Sequence, residues 1–158
     1  AELIINDQDH EVFNEDINKV AGKIAGDILY LDPPYNQRQY ATNYHMLETI
    51  AKYDNPKIHG KTGLREYQNQ KSLYCSRTQV KKTFKDLILK AKVKYIFLSY
   101  NNEGLMTLDD IQEIMSLRGK YGNFTKEYNR FKADKSENRN FTANKTTEYL
   151  HYVVCENV

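Results

Sequence analysis

Four consecutive residues, Asp32-Pro33-Pro34-Tyr35, concentrate the chemistry of this sequence. Asp32 offers carboxylate acceptors. The backbone carbonyl of Pro33 is a further acceptor, and the fixed φ of proline holds it in place. Tyr35 offers a flat aromatic face. Rigid acceptors beside a stacking platform suit a planar molecule with an exocyclic amino group, and adenine is such a molecule. Its N6 is a poor nucleophile because the lone pair is delocalised into the ring. Accepting both N–H bonds off the ring plane favours a more tetrahedral nitrogen and concentrates that lone pair. A methyl sulfonium held in line, roughly 3–3.5 Å away, then reacts directly, with no metal and no covalent intermediate. Inside a duplex N6 is out of reach, so the base must be flipped out, and stacking on Tyr35 would help hold it. The same tetrapeptide also reads as a Pro-Pro turn that merely ends a strand, with Asp32 capping and Tyr35 packing.

The elements around the motif decide between these readings. Asp27-Ile28-Leu29-Tyr30-Leu31 is a compact apolar run, which predicts a buried strand of a parallel sheet with the motif at its C-terminal end. In open α/β sheets, ligands bind outside the carboxyl ends of the strands. Upstream, Leu3 to Phe13 suggests a short strand. Ile17, Val20, Ala21 and Ile24 have helical spacing, with Gly26 as the stop. Downstream, Asn43 to Lys52 predicts a helix with Tyr44, Leu47, Ile50 and Ala51 inward. Tyr53 to Cys75, punctuated by Pro56, Gly60 and Gly63, predicts a long loop, and such loops are commonly functional. Val80, Phe84, Leu87, Ile88 and Ala91 form one stripe of a helix over Ser76 to Lys92. Tyr95 to Tyr100 predicts a second buried strand. Thr107 can cap a helix from Leu108 to about Leu117, with Asp109 and Asp110 in its first turn. Phe124 to Phe131 and Thr146 to Val154 predict closing strands joined by a mobile polar hairpin loop, Lys132 to Lys145. The alternation predicts an α/β fold whose sheet is mostly parallel, with an antiparallel C-terminal hairpin.

Composition excludes several classes. The 158 residues suffice for one domain with a core, and 40% hydrophobic with 28% charged residues is ordinary globular usage. There is no apolar run long enough for a membrane span and no signal-peptide pattern, so the expectation is a cytoplasmic protein of bacterial type with no membrane partner. Cys75 and Cys155 have neither metal-ligand nor disulfide spacing, and His10, His45, His59 and His151 show no paired metal spacing. No metal is expected. Net charge is only +2, yet Lys57 to Lys94 holds eleven Lys or Arg against two acids. That separation can turn a basic face toward nucleic acid, with Lys61 and Arg65 as candidate contacts, or can be a solvated surface.

Taken together, these residues resemble the Dam-like (D12 class) adenine-N6-specific DNA methyltransferases. The resemblance runs through Asp27 to Asn36, then Tyr40, Asn43-Tyr44-His45, Leu98-Ser99-Tyr100-Asn101-Asn102 and Glu148-Tyr149-Leu150. It implies a partial Rossmann-like methyltransferase fold, S-adenosyl-L-methionine (AdoMet) as cofactor and DNA as partner. Carried over by residue, Asp32 and the Pro33 carbonyl would accept from adenine N6, with Pro34 and Tyr35 completing the catalytic motif and Tyr35 stacking on the base. Asp16 resembles the position that contacts the cofactor's adenosine, and it also reads as a simple helix N-cap. Tyr40 and Asn43, with Asp32, would line the cofactor side. Ser99, Tyr100 and Asn101 would border the base pocket. The family carries a glycine-rich AdoMet loop and a target-recognition region ahead of the motif. Only 31 residues precede Asp32, and Gly22 and Gly26 do not make that loop. The expectation is a single catalytic-domain fragment over 1–158 without those parts, with one side of its sheet uncovered and prone to self-association or to pairing with the N-terminal portion. The alternative function is a non-catalytic nucleic-acid-binding fragment or subunit, supported by the basic segment and the 13 tyrosines.

Overall fold

The computed structural model describes residues 7–129 and 145–156. It is an α/β structure built on a four-stranded sheet in the order β1-β4-β6-β5, from β1 (Ala25–Leu31), β4 (Lys92–Asn101), β5 (Gly119–Asn129) and β6 (Lys145–Cys155). The sheet is less parallel than expected. β1 pairs with β4 in parallel, whereas β4 with β6 and β5 with β6 are antiparallel. The closing strands do form the expected antiparallel hairpin; its connecting loop, expected from Lys132 to Lys145, lies outside the described residues except for Lys145.

Helices α4 (Val80–Lys90) and α5 (Leu108–Ser116) cover one face of the sheet. Val80, Phe84, Leu87 and Ile88 recur on one side of α4, and all four are buried against Ile96, Leu98 and Val153 of the sheet. α5 starts where the sequence places it. The Thr107 hydroxyl accepts from the Asp110 amide at 3.2 Å and the Asp110 carboxylate accepts from the Thr107 amide at 2.9 Å, a reciprocal capping box.

The other face carries no described helix. Ile28 and Tyr30 of β1, Tyr95 and Phe97 of β4, Leu150, Tyr152 and Val154 of β6 and Phe124 of β5 share it by register. Ile28 and Tyr30 are each 61% exposed, so β1 is an exposed edge strand here rather than the buried strand its composition predicts. An apolar run reports that both faces are suited to burial; what lies against them is a tertiary matter.

Other expectations change in detail. Residues 7–13 form no regular element, and 1–6 lie outside the described residues. Helix α1 spans only Ile17–Val20; a turn follows, and Gly26 lies inside β1 instead of stopping the helix. The helix expected from Asn43 is split into α2 (Tyr40–Asn43) and α3 (His45–Lys52). Its apolar face is turned outward, with Leu47 62% and Ile50 68% exposed, because the opposite side packs His45 and Thr49 toward β3 (Leu64–Arg65). The loop from Tyr53 to Cys75 contains a two-residue-strand hairpin, β2 (Ile58–His59) with β3, and two single-turn 3-10 helices at Gln68–Gln70 and Leu73–Cys75. Gly60 and Gly63 have φ of +69° and +65°, which only glycine adopts without strain at a hairpin turn.

Candidate active site

β1 ends at Leu31, and the two prolines carry the chain off the sheet beside the C-terminal end of β4. Asp32 is exposed there. Its Oδ1 accepts a hydrogen bond from the Tyr35 hydroxyl at 3.0 Å. That hydroxyl is also 3.0 Å from the Ser99 hydroxyl. Burial, with the nearby Asp32 and Glu148 charges, pushes the Tyr35 phenol up to about 12 against the opposing Ser99 hydrogen bond, so Tyr35 is a neutral donor at physiological pH. Among the described residues, no hydrogen bond occupies Asp32 Oδ2 or the Pro33 carbonyl. Two acceptors on one turn therefore remain unclaimed.

Besides the Ser99 hydroxyl, two contacts seat Tyr35. Its ring meets Tyr100 edge-on, with centroids 5.0 Å apart. Its carbonyl accepts from the Leu105 amide at 3.0 Å. Tyr100, 1% exposed, uses its hydroxyl to accept from the Leu105 and Met106 amides at 3.0 and 3.3 Å. The chain passes this close because residue 104 is glycine; a Cβ at Gly104 would run into the Tyr100 ring.

A cleft of about 870 Å³ opens beside the motif. Asp16 and Asp32 both line it, with Asn14, Glu15, Pro33 and Phe84 among their neighbours. Asp16 does cap α1, its Oδ1 accepting from the Asn18 amide at 2.9 Å. Asn18 pins this cap to the core. Its amide donates to the Thr83 carbonyl at 2.8 Å and to Asp86 at 2.9 Å, and its Oδ1 accepts from the Tyr74 hydroxyl at 2.9 Å. Burial, aided by the Asp16 and Asp86 charges, raises the Tyr74 phenol, which keeps it a donor. Capping and cleft lining are thus compatible roles for one carboxylate.

The remaining sequence candidates separate. Tyr40 and Asn43 belong to α2 and do not line the cleft, although the Asp32 charge, after burial, raises the Tyr40 phenol. Tyr100 lies beneath Tyr35 and not at a surface. Asn101, half-buried, is engaged within the chain: its carbonyl oxygen Oδ1 accepts from the Glu103 amide at 3.1 Å, and its Nδ2 is 3.5 Å from Glu148. Lys61 is exposed at the β2–β3 turn. Arg65 is corrected from a surface contact to an internal one, 9% exposed, 2.5 Å from Asp54 and 3.3 Å from the Thr49 hydroxyl. Lys81, Lys90 and Lys94 are likewise tied to Asp110, Asp86 and Asp27, so the basic segment is partly neutralised. Among the described residues no cluster of three or more His, Cys, Asp or Glu could hold a metal, and no helix is long and apolar enough to cross a membrane.

Asn18 and Gln39 were not singled out by sequence. The Gln39 side chain accepts from the Ser72 amide and donates to its carbonyl, at 2.8 and 3.1 Å, and so fastens the 3-10 wall of the cleft to the segment after the motif. Nothing in the local pattern marks either residue, because their partners are 33 or more positions away.

Comparison with known proteins places these features in context. The model of the D12 class N6 adenine-specific DNA methyltransferases matches residues 1–114. The type II methyltransferase M.NlaIII of Neisseria lactamica is 55% identical over 147 residues, covering 93% of this chain and 43% of that protein. The type II methyltransferase M.FokI of Planomicrobium okeanokoites is 44% identical, covering 91% and 22%. The type II methyltransferase M.CviAII of Paramecium bursaria Chlorella virus 1 is 36% identical, covering 92% and 42%. The chain thus spans less than half the length of each of these relatives. No solved structure matches it.

Proposed function

The chain belongs to the D12 class N6 adenine-specific DNA methyltransferases, and we propose that its protein transfers a methyl group from AdoMet to N6 of an adenine flipped out of DNA. The observation that carries this reading is the pair of unclaimed acceptors, Asp32 Oδ2 and the Pro33 carbonyl, on a rigid turn at the rim of the cleft that Asp16 lines. In this reading Asp32 and Pro33 accept the two N6 hydrogens and orient the nitrogen lone pair. Pro34 keeps the turn rigid, and Tyr35 borders the base. Asp16 and Asp32 form the cofactor side, with Tyr40 and Asn43 flanking it on α2. Lys61 is the exposed candidate for phosphate contact.

The cleft suits that cofactor. Glu15, Asp16 and Asp32 offer carboxylates to positive charge and to hydroxyls, while Leu73, Phe84 and Leu87 give an apolar wall. Bound AdoMet would supply an electrophilic methyl group. The parallel β1–β4 pair with its site at the strand ends supports a Rossmann-like origin for this sheet. The relatives named as type II methyltransferases support a restriction–modification setting.

The reading is tested by transfer of labelled methyl from AdoMet to unmethylated DNA, followed by nucleoside analysis of the full-length protein's product. Label is expected in N6-methyladenine and is expected to vanish in Asp32→Ala. Label on another base overturns the adenine assignment, and undiminished transfer by Asp32→Ala removes the role given to that carboxylate.

A further inference from the structure

Ser99 sits one strand away from the motif, yet its hydroxyl lies within hydrogen-bond distance of the Tyr35 hydroxyl, which itself donates to Asp32. We propose that Ser99 is a positioning residue for Asp32, acting through the Tyr35 hydroxyl and not through contact with DNA. This deepens the methyltransferase reading and rests on it.

The direction of the chain follows from what each atom can do. A carboxylate oxygen only accepts, so the Tyr35 hydrogen is committed to Asp32 Oδ1. The Tyr35 oxygen then faces Ser99 as an acceptor, and the Ser99 hydroxyl donates to it. A hydroxyl that receives a hydrogen bond is a better donor to the next acceptor, so the two bonds strengthen one another. Burial pushes the Tyr35 phenol up to about 12, so the chain persists across the range in which an enzyme works.

The consequence is geometric. Asp32 is exposed, and an exposed carboxylate rotates among several orientations unless something fixes it. Holding Oδ1 by Tyr35 leaves Oδ2 unclaimed, on the same turn as the Pro33 carbonyl. Tyr35 is itself immobilised by its ring contact with Tyr100 and by the Leu105 amide on its carbonyl. Its phenol is therefore a fixed arm between the β4 strand and the carboxylate. In this arrangement the hydroxyl of Tyr35 matters as well as its ring face.

The test uses the full-length protein with Ser99→Ala, Ser99→Thr, Tyr35→Phe and the Ser99→Ala/Tyr35→Phe double variant. Single-turnover methyl transfer and DNA dissociation constants are measured for each. A hydrogen bond to a charged group that is lost from the reacting geometry costs roughly tenfold in rate. Ser99→Ala and Tyr35→Phe are each expected to slow transfer by about that factor with DNA affinity unchanged. Ser99→Thr, which keeps a hydroxyl, is expected to restore the rate. The double variant is expected to be no slower than Tyr35→Phe, because both changes break one chain. Weakened DNA binding by Ser99→Ala, additive losses in the double variant, or full activity in Tyr35→Phe would each overturn the proposal. Asp32→Ala run beside them separates the failures: if it remains active, the parent reading fails, whereas an inactive Asp32→Ala with a fully active Ser99→Ala sinks only the relay.

Discussion

At the scale of single residues, side chains of the same charge receive opposite assignments from their surroundings. Lys61 and Arg65 are four positions apart in a basic segment, and both are plausible phosphate ligands from composition. Lys61 projects from a hairpin turn, whereas Arg65 is folded in against Asp54 and Thr49. The Arg65 guanidinium holds the Asp54 carboxyl below its ordinary range. Arg65→Ala is therefore expected to lower the thermal midpoint and leave the salt dependence of DNA binding unchanged. Lys61→Ala is expected to do the reverse, leaving the midpoint unchanged and reducing the slope of log affinity against log salt by about one. Calorimetry with a salt titration of DNA affinity reads both; a reduced salt slope in Arg65→Ala would return that residue to the interface.

At the scale of elements, the stripe of α4 and the capping box of α5 are the parts most completely written in local sequence. Thr107→Ala removes the hydroxyl that accepts from the Asp110 amide and is expected to cost about 1 kcal/mol, read as a shift in urea midpoint without a change in slope. Thr107→Ser keeps the acceptor and is expected to recover most of the loss. The β1 and α3 elements teach the opposite lesson. Each carries the periodicity of a packed element, and each turns large apolar residues outward among the described residues. Local spacing decides which residues share a face, and only the neighbouring elements decide whether that face is covered.

At the scale of the whole molecule, the sheet is covered on one face by helices and presents apolar side chains on the other. The covered face also hides a titratable group. His151 on β6 is 1% exposed, with Nδ1 2.8 Å from the Tyr121 hydroxyl and no partner for Nε2 among the described residues. Burial lowers its proton affinity to about 4, against an ordinary 6.5. The unfolded chain thus binds a proton that the folded chain refuses, so this contribution to stability is complete above pH 6.5. It is lost as the pH falls toward 4, by up to about 3 kcal/mol. Urea midpoints between pH 7.5 and 4 are expected to fall accordingly, and His151→Gln is expected to flatten part of that fall. An unchanged pH profile in the variant would assign the acid sensitivity elsewhere.

The sequence by itself determined the position of the Asp-Pro-Pro-Tyr turn, the strand before it, the α4 stripe and the α5 cap, because each depends on residues close to one another in the chain. It also determined family membership, which the comparisons bear out. Only the tertiary structure decided that Asp16 and Asp32 share a cleft, that Ser99 and Tyr100 both engage Tyr35, and that β4 pairs with β6 in antiparallel fashion. The contacts that set the motif's orientation join Tyr35 to residues 64 to 70 positions away, along with the Asn18 and Gln39 bonds that shape the cleft. A hydrogen bond between such distant residues leaves no periodic trace in a single chain, because its geometry exists only once the β1–β4 register has brought the two strand ends together.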